Sequence, residues 1–304
     1  MKKEGSFAST NGKDTVRYTE WLPDDMPVIA VLQIAHGMAE HIERYEDFAL
    51  WLNRYGIAVA GNDHVGHGRT SDPADYGYMG EKDGWKTLVN DVEKLNGMLH
   101  EEHPEVPVSV MGHSMGSFVV RAWMADHGRN CDRFIIMGTS GSNPALKAGL
   151  GLTRMLRKKQ GGHAVSKMIN GMAFGSYNKR IKNARTAFDW LSVNEENVDR
   201  YVADPACGFP FTLAGFEDLF TMLSFVNSRE WYEKVPKDHH ILLISGLEDP
   251  VGSYGRGVAE VCEKLKDAGC SQVSMLLFEE MRHEILNEKQ HEAVYKEIRD
   301  FLLG

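Results

Sequence analysis

The residues best placed for covalent chemistry lie in VSVMGHSMG, residues 108–116. An apolar run meets Gly112-His113-Ser114-Met115-Gly116. A helix-compatible stretch follows, with Phe118, Val119, Ala122 and Trp123 on one face. G-x-S-x-G between a strand and a helix is a nucleophile elbow. Side chains flanking so tight a turn would collide, hence glycine at both positions. The serine oxygen is exposed above the sheet, and the helix N-terminus beneath it favours developing negative charge.

A serine hydroxyl is a nucleophile at neutral pH only when a base takes its proton. Thirteen histidines are available, and chain order selects among them, because after such an elbow the acid comes next and the histidine last. His283 follows the final strand, in the loop Glu279-Glu280-Met281-Arg282-His283-Glu284, and is the expected base. His291 falls on the last helix and is expected at the surface. The acid should leave the preceding strand, where ILLISG runs into Leu247-Glu248-Asp249-Pro250-Val251-Gly252. Asp249 is the expected acid and Glu248 the reserve; the acid orients the imidazole and stabilises the imidazolium. The strand VIAVLQIA ends in His36-Gly37-Met38-Ala39-Glu40-His41, a glycine turn suited to an oxyanion donor. The expected donors are the backbone N–H groups of Met38 and Met115. A metal site on His36 and His41 is the competing reading, without a Cys or a second acidic ligand pair to support it.

These side chains need a sheet to carry them. Asn11-Gly12, inside Ser6 to Trp21, signals a hairpin. Val28 to Ala35, Ile57 to Ala60, Val108 to Met111, Arg133 to Met137, Ile241 to Ser245 and Val273 to Phe278 are short and lack polar alternation. Strands buried on both faces of a parallel sheet read this way. Between them, Ile42, Tyr45, Phe48, Leu52 and Tyr55, with Gly56 as a stop, predict one amphipathic helix. Trp85, Leu88, Val92, Leu95 and Leu99 predict a second. Val258 to Leu265 and about Glu288 to Leu302 continue the alternation. The expected architecture is α/β: a mostly parallel, twisted sheet with helices on both faces.

Between about Gly141 and Ser224 the strand–helix rhythm fails. A helical cap is expected there, dividing the core into residues 1–140 and 225–304 around an insertion at 141–224. In ALKAGLGLTRML, residues 145–156, Ala148, Leu152, Met155 and Leu156 share one helical face, and Arg157-Lys158-Lys159 follow. An apolar face beside a basic cluster fits either a packed cap helix with a solvated rim or a lid touching anionic lipid. The cap glycines would permit lid motion.

The net charge of −9 argues against nucleic acid as a partner. Eleven Lys or Arg and no Asp or Glu nevertheless fall between Arg133 and Arg185. No apolar run is long enough to span a membrane. The start, MKKEGSFASTNGKD, lacks the apolar core of a secretory signal. Four scattered cysteines, Cys131, Cys207, Cys262 and Cys270, read as free thiols. A cytoplasmic protein, at most peripheral at membranes, is expected.

The chain resembles the monoacylglycerol lipase and lysophospholipase branch of the α/β hydrolases, grouped with the serine aminopeptidase-like hydrolases, over almost its whole length. His36-Gly37 with Glu40-His41 is similar to the HGxGEH oxyanion loop of that family, and Asp63 to Gly68 to its DHxGHGxS turn. GHSMG at Gly112 to Gly116, the GxxDxV pattern at Gly246 to Val251 and RHEILNE at Arg282 to Glu288 resemble its nucleophile, acid and base segments. Asp204-Pro205 with Cys207 resembles a cap segment. Ala39 departs from the pattern, standing where glycine is usual. The resemblance implies an α/β-hydrolase fold with an inserted cap. It also implies ester hydrolysis through an acyl-enzyme on Ser114, His283 and Asp249, with no cofactor or metal and a small-molecule acyl ester as partner. Asp63, His64 and His67 are expected to brace the loops. The rival readings are an aminopeptidase or amidase on the same scaffold, which would need a cap carboxylate for the substrate amine, and a non-catalytic small-molecule-binding protein. Serine at 114 argues against the aspartate-nucleophile chemistries of related folds. No motif specifies acyl length, leaving alcohol or oligomeric state.

Overall fold

The computed structural model describes residues 1–131 and 133–304. β1 (Lys2–Ala8) and β2 (Thr15–Trp21) form an antiparallel hairpin. Its loop turns at Gly12, φ +71°, where the Asn11 carboxamide oxygen accepts the Lys13 and Asp14 N–H groups at 2.9 and 3.0 Å. The core strands and helices then alternate: β3 (Ala30–Ala35), α1 (Glu46–Asn53), β4 (Ile57–Asn62), α2 (Gly84–Glu102), β5 (Val108–His113), α3 (Met115–His127) and β6 (Arg133–Met137). Next come five helices, α4 (Leu146–Gln160), α5 (Lys167–Phe174), α6 (Glu195–Ala203), α7 (Leu213–Val226) and α8 (Arg229–Lys234). The alternation resumes with β7 (His240–Gly246), α9 (Arg256–Asp267), β8 (Gln272–Phe278) and α10 (His291–Leu303).

The eight strands are ordered β1-β2-β4-β3-β5-β6-β7-β8 and are parallel from β4 to β8. The unbroken apolar runs of β3 to β7 reflect two covered faces, whereas β8, also expected to be buried on both faces, is the edge strand and none of its residues is fully buried. In β3, Leu32 and Ile34 join one buried cluster with Phe48 and Leu52 of α1 and Ile298 of α10, while Val31 and Ala35 join the other with α2 and α3. Connections run from β3 outward to β4, then return to β5 on the other side of β3. That reversal opens a crevice at the carboxyl ends of the strands, where such sheets place their ligand sites.

The predicted helix over residues 42–55 is a 3-10 turn, Ile42–Tyr45, followed by α1, and Tyr55 lies outside with its ring exposed. Gly56, φ +76°, ends it as expected. In α4 the predicted apolar face is rotated. Ala148 and Met155 face outward, and the buried stripe runs through Gly149 and Thr153 beside Leu152 and Leu156. Small residues let α4 approach α7 closely, and Thr153 hides its hydroxyl by donating to the Gly149 carbonyl at 2.8 Å. The basic cluster is also partly committed, since Arg157 pairs with Glu217 at 2.9 Å and Glu81 at 3.0 Å. Among the described residues no helix is long and apolar enough to cross a membrane.

Candidate active site

Ser114 stands between β5 and α3 with φ +53° and ψ −120°. A side chain at Gly112 would strike the Gly116 carbonyl, and one at Gly116 would strike that of Ala35. The flanking glycines are therefore required by backbone contact. Ser114 N–H donates to the Met137 carbonyl at 3.0 Å, and the Ser114 carbonyl accepts from Ser117 N–H at 2.9 Å. An unfavourable backbone region is thus held from both ends.

Two buried groups come from the adjoining strand ends. His283 follows β8 and Asp249 follows β7, and the His283 Nδ1 lies 2.9 Å from Asp249 Oδ2. Asp249 is held in turn by the Ser245 hydroxyl at 3.1 Å and Val251 N–H at 2.8 Å. The reserve acid, Glu248, points outward and lies 3.8 Å from Arg282. His291 is half-buried at the start of α10 rather than on the open surface, its Nδ1 2.6 Å from the Glu288 carbonyl. Ser114, His283, Met38 and Met115 line one cavity of about 750 Å³. A Cβ on Gly37 would lie 3.2 Å from that of Ser114, so the turn bearing Met38 sits directly against the serine.

That turn is held by charge. Glu40 Oε1 accepts from Gly37 N–H at 2.5 Å and Tyr45 OH at 2.9 Å, and lies 3.1 Å from His113 Nδ1. Its other oxygen accepts from Arg44 at 2.7 Å, and Arg44 grips Glu284 through two bonds of 2.6 and 2.7 Å. Burial works against the Glu40 charge, but the His113 bond and Arg44 prevail and hold its pKa well below the usual carboxylate range. Burial likewise opposes charge on His113, yet Glu40 raises its pKa above the ordinary value. His113 Nε2 lies 3.2 Å from the main-chain carbonyl of His283. The ring of His283 is contacted by His113 at 4.6 Å and by Trp190 of the inserted segment at 5.2 Å.

Ala39, the departure from the family pattern, has φ +52°, which explains the usual glycine. Its carbonyl is clamped from the inserted segment by Gly208 N–H at 3.0 Å and Tyr201 OH at 2.9 Å. Nearby, His41 Nε2 meets Asp204 at 2.9 Å, with Cys207 close by. Burial pushes the Cys207 thiol well up, and the His41–Asp204 bond ties this loop to the segment between β6 and β7.

The competing metal pair is drawn apart by its partners. His36 donates to the Gly37 carbonyl at 2.8 Å and accepts from His64 N–H at 3.0 Å, whereas His41 binds Asp204. Burial pushes His36 down to about 3 and His67 to about 4, so both are neutral. Asp63 accepts from Ile42 N–H at 2.9 Å and Arg69 N–H at 3.0 Å, tying two loops together. The sequence did not single out Arg44, Tyr201 or Trp190. Arg44 alone left a signal, four residues after Glu40.

Sheet order, elbow and crevice define an α/β hydrolase. The Hydrolase_4 family model, described as "Serine aminopeptidase, S33", matches residues 27–290, and the chain belongs to that family. It is 28% identical over 307 residues to a monoacylglycerol lipase of Mycolicibacterium smegmatis, covering 100% of this chain and 98% of that protein. A highly thermostable carboxyl esterase from Bacillus coagulans, solved in complex with glycerol, superposes with a TM-score of 0.93 at 33% identity, covering 100% of this chain and 98% of that one. A lipase solved in an open form gives 0.90 at 26% identity, covering 99% and 98%. The chain is thus an esterase-type serine hydrolase.

Proposed function

We propose that this protein hydrolyses fatty-acyl monoesters of small alcohols, with monoacylglycerol as the favoured substrate and lysophospholipid-like esters next. The observation carrying this reading is the character of the cavity around Ser114. Phe118, Leu146, Ile169, Phe174, Trp190 and Leu223 line it, and its volume lies within the range of small-molecule sites. The relatives described above, a monoacylglycerol lipase and an esterase holding glycerol, support the same class.

In the proposed mechanism, Ser114 Oγ attacks the ester carbonyl while His283 Nε2 takes its proton. Asp249 keeps the Nδ1–H of His283 directed to itself. The N–H groups of Met38 and Met115 hold the oxyanion, the latter at the positive end of α3. His283 then protonates the leaving alcohol, giving an acyl-enzyme, and next deprotonates the water that hydrolyses it. Cleavage beside a free amine would call for an uncommitted carboxylate in the cavity. The lining carboxylates are Glu40 and Glu284, and both are bound to Arg44.

Residues 141–224 act in this proposal as a cap that docks weakly on anionic membranes. Met155, Val165, Met168 and Met172 are exposed on it, with Lys158, Lys159 and Lys167 beside them. Val165, Lys167 and Met172 also reach the cavity. The test is a series of simple esters, monoacylglycerols, lysophospholipids and aminoacyl amides of graded chain length. Monoacylglycerol should give the highest kcat/KM, and preference for aminoacyl amides would overturn the reading. Pelleting with anionic liposomes should weaken at high salt, and equal pelleting at low and high salt would remove the electrostatic part.

A further inference from the structure

Arg121, on the second turn of α3, is fully buried, yet among the described residues its guanidinium meets carbonyl, hydroxyl and amide oxygens rather than a carboxylate. One amino group donates to the Ser140 carbonyl at 3.0 Å and to Thr139 Oγ1 at 3.2 Å. The other donates to the Val226 carbonyl and to Asn227 Oδ1 at 3.2 Å. Trp231 lies 4.5 Å beneath the guanidinium. Thr139-Ser140 is where the chain leaves the sheet for α4, and Val226-Asn227 is where it comes back from α7. A single cation thus holds both stems of the inserted segment.

The same cation reaches the nucleophile. Thr139 Oγ1 lies 2.9 Å from Ser117 Oγ, which bonds the Ser114 carbonyl at 2.5 Å. A guanidinium can only donate, so Thr139 accepts from it; the single Ser117 hydrogen is committed to the Ser114 carbonyl, which leaves the Thr139 hydroxyl to donate across the contact between the two side chains. Arg121 fixes one end of this chain and the Ser114 carbonyl, which can only accept, fixes the other; bonds aligned in this way reinforce one another. Burying an unpaired guanidinium is unfavourable, and burial pushes its pKa down to about 10. An apolar side chain of similar volume would pack more cheaply but could not join four acceptors. Lysine, a point donor, lacks the planar fork.

We propose that Arg121 is a positioning residue that couples the seating of the cap to the geometry of Ser114. It acts through the Thr139–Ser117 relay on one side and the Ser140 and Val226-Asn227 stems on the other. The inference rests on Ser114 being the nucleophile, and the test separates the two claims. Thr139→Val, Ser117→Ala, Asn227→Leu, Arg121→Met and Arg121→Lys are assayed with an acetyl ester and a long-chain ester, with Ser114→Ala as control. The relay variants should lose about tenfold in kcat with both esters at unchanged KM. Asn227→Leu should raise KM severalfold for the long ester alone. Arg121→Met should show both effects, Arg121→Lys should not rescue them, and adding Thr139→Val to Arg121→Met should cost little more. Wild-type kcat in Thr139→Val and Ser117→Ala, or fully multiplicative losses with Arg121→Met, would overturn the coupling. Should Arg121→Met fail to fold, the relay and stem variants decide alone. Activity retained by Ser114→Ala would instead overturn the nucleophile reading.

Discussion

Replacing Tyr201 by phenylalanine removes one oxygen, the one that donates to the Ala39 carbonyl at 2.9 Å. Ala39 sits at φ +52°, beside the N–H assigned to the oxyanion. For a residue with a Cβ that conformation is unfavourable by about 1–2 kcal/mol. The segment between β6 and β7 holds the carbonyl twice, and Gly208 N–H at 3.0 Å is the second hold. Losing one net hydrogen bond weakens the hold by about 0.5–1.5 kcal/mol. If the loop's order passes fully into oxyanion stabilisation, kcat falls roughly 2- to 13-fold. The assay is kcat and KM for a short ester, with thermal melting as a check on folding. The decisive comparison is the same change in an Ala39→Gly background. Glycine adopts φ > 0 without strain, so Tyr201→Phe should then alter kcat by less than about twofold. Equal losses in both backgrounds would refute the clamp, and so would an unchanged kcat in the single variant.

Three further outcomes follow from the charged and hydrogen-bonded groups around the elbow. Asp249→Asn should lower kcat by about 10⁴-fold with the fold intact, because an amide can hold the wrong imidazole tautomer; steady-state kinetics and circular dichroism check it. Arg44→Met should destabilise the protein by about 3–5 kcal/mol in urea unfolding, since two buried carboxylates lose their cation. His113 has its pKa raised by Glu40, so the stability it contributes is complete below its unfolded value of about 6.5 and is lost as pH rises through the folded value. The stability difference between wild type and His113→Gln should therefore shrink as the pH is raised above about 6.5, measured by urea unfolding.

Ser114 was legible because the elbow's demands are local: a Cβ at 112 or 116 has backbone in its way. The pairing of Asp249 with His283 was legible through chain order and through the strands that end just before them. The inner parallel strands announced themselves by apolar runs with both faces covered, while the equally apolar β8 gave no sign that it would lie at the edge. The α4 face was misjudged because periodicity weighs hydrophobic side chains, whereas α7 packs against Gly149 and Thr153, where small size matters. Arg44 was not singled out, since its partner Glu284 is 240 positions away and only the fold brings them together. Tyr201 reaches Ala39 across 162 positions for the same reason. Arg121 did leave a mark, a lone cation within the apolar stretch Phe118 to Met124. What it binds lies in two chain segments that sequence spacing does not relate.

The central claim is that Ser114 is the activated nucleophile. The most direct measurement is mass-spectrometric mapping of the adduct formed with a fluorophosphonate, on wild type and Ser114→Ala in parallel. A single adduct on the peptide carrying Ser114, absent from the alanine variant along with ester turnover by about 10⁴-fold or more, is the predicted result. An unlabelled wild type, or an alanine variant that still hydrolyses esters at near wild-type rate, would contradict it.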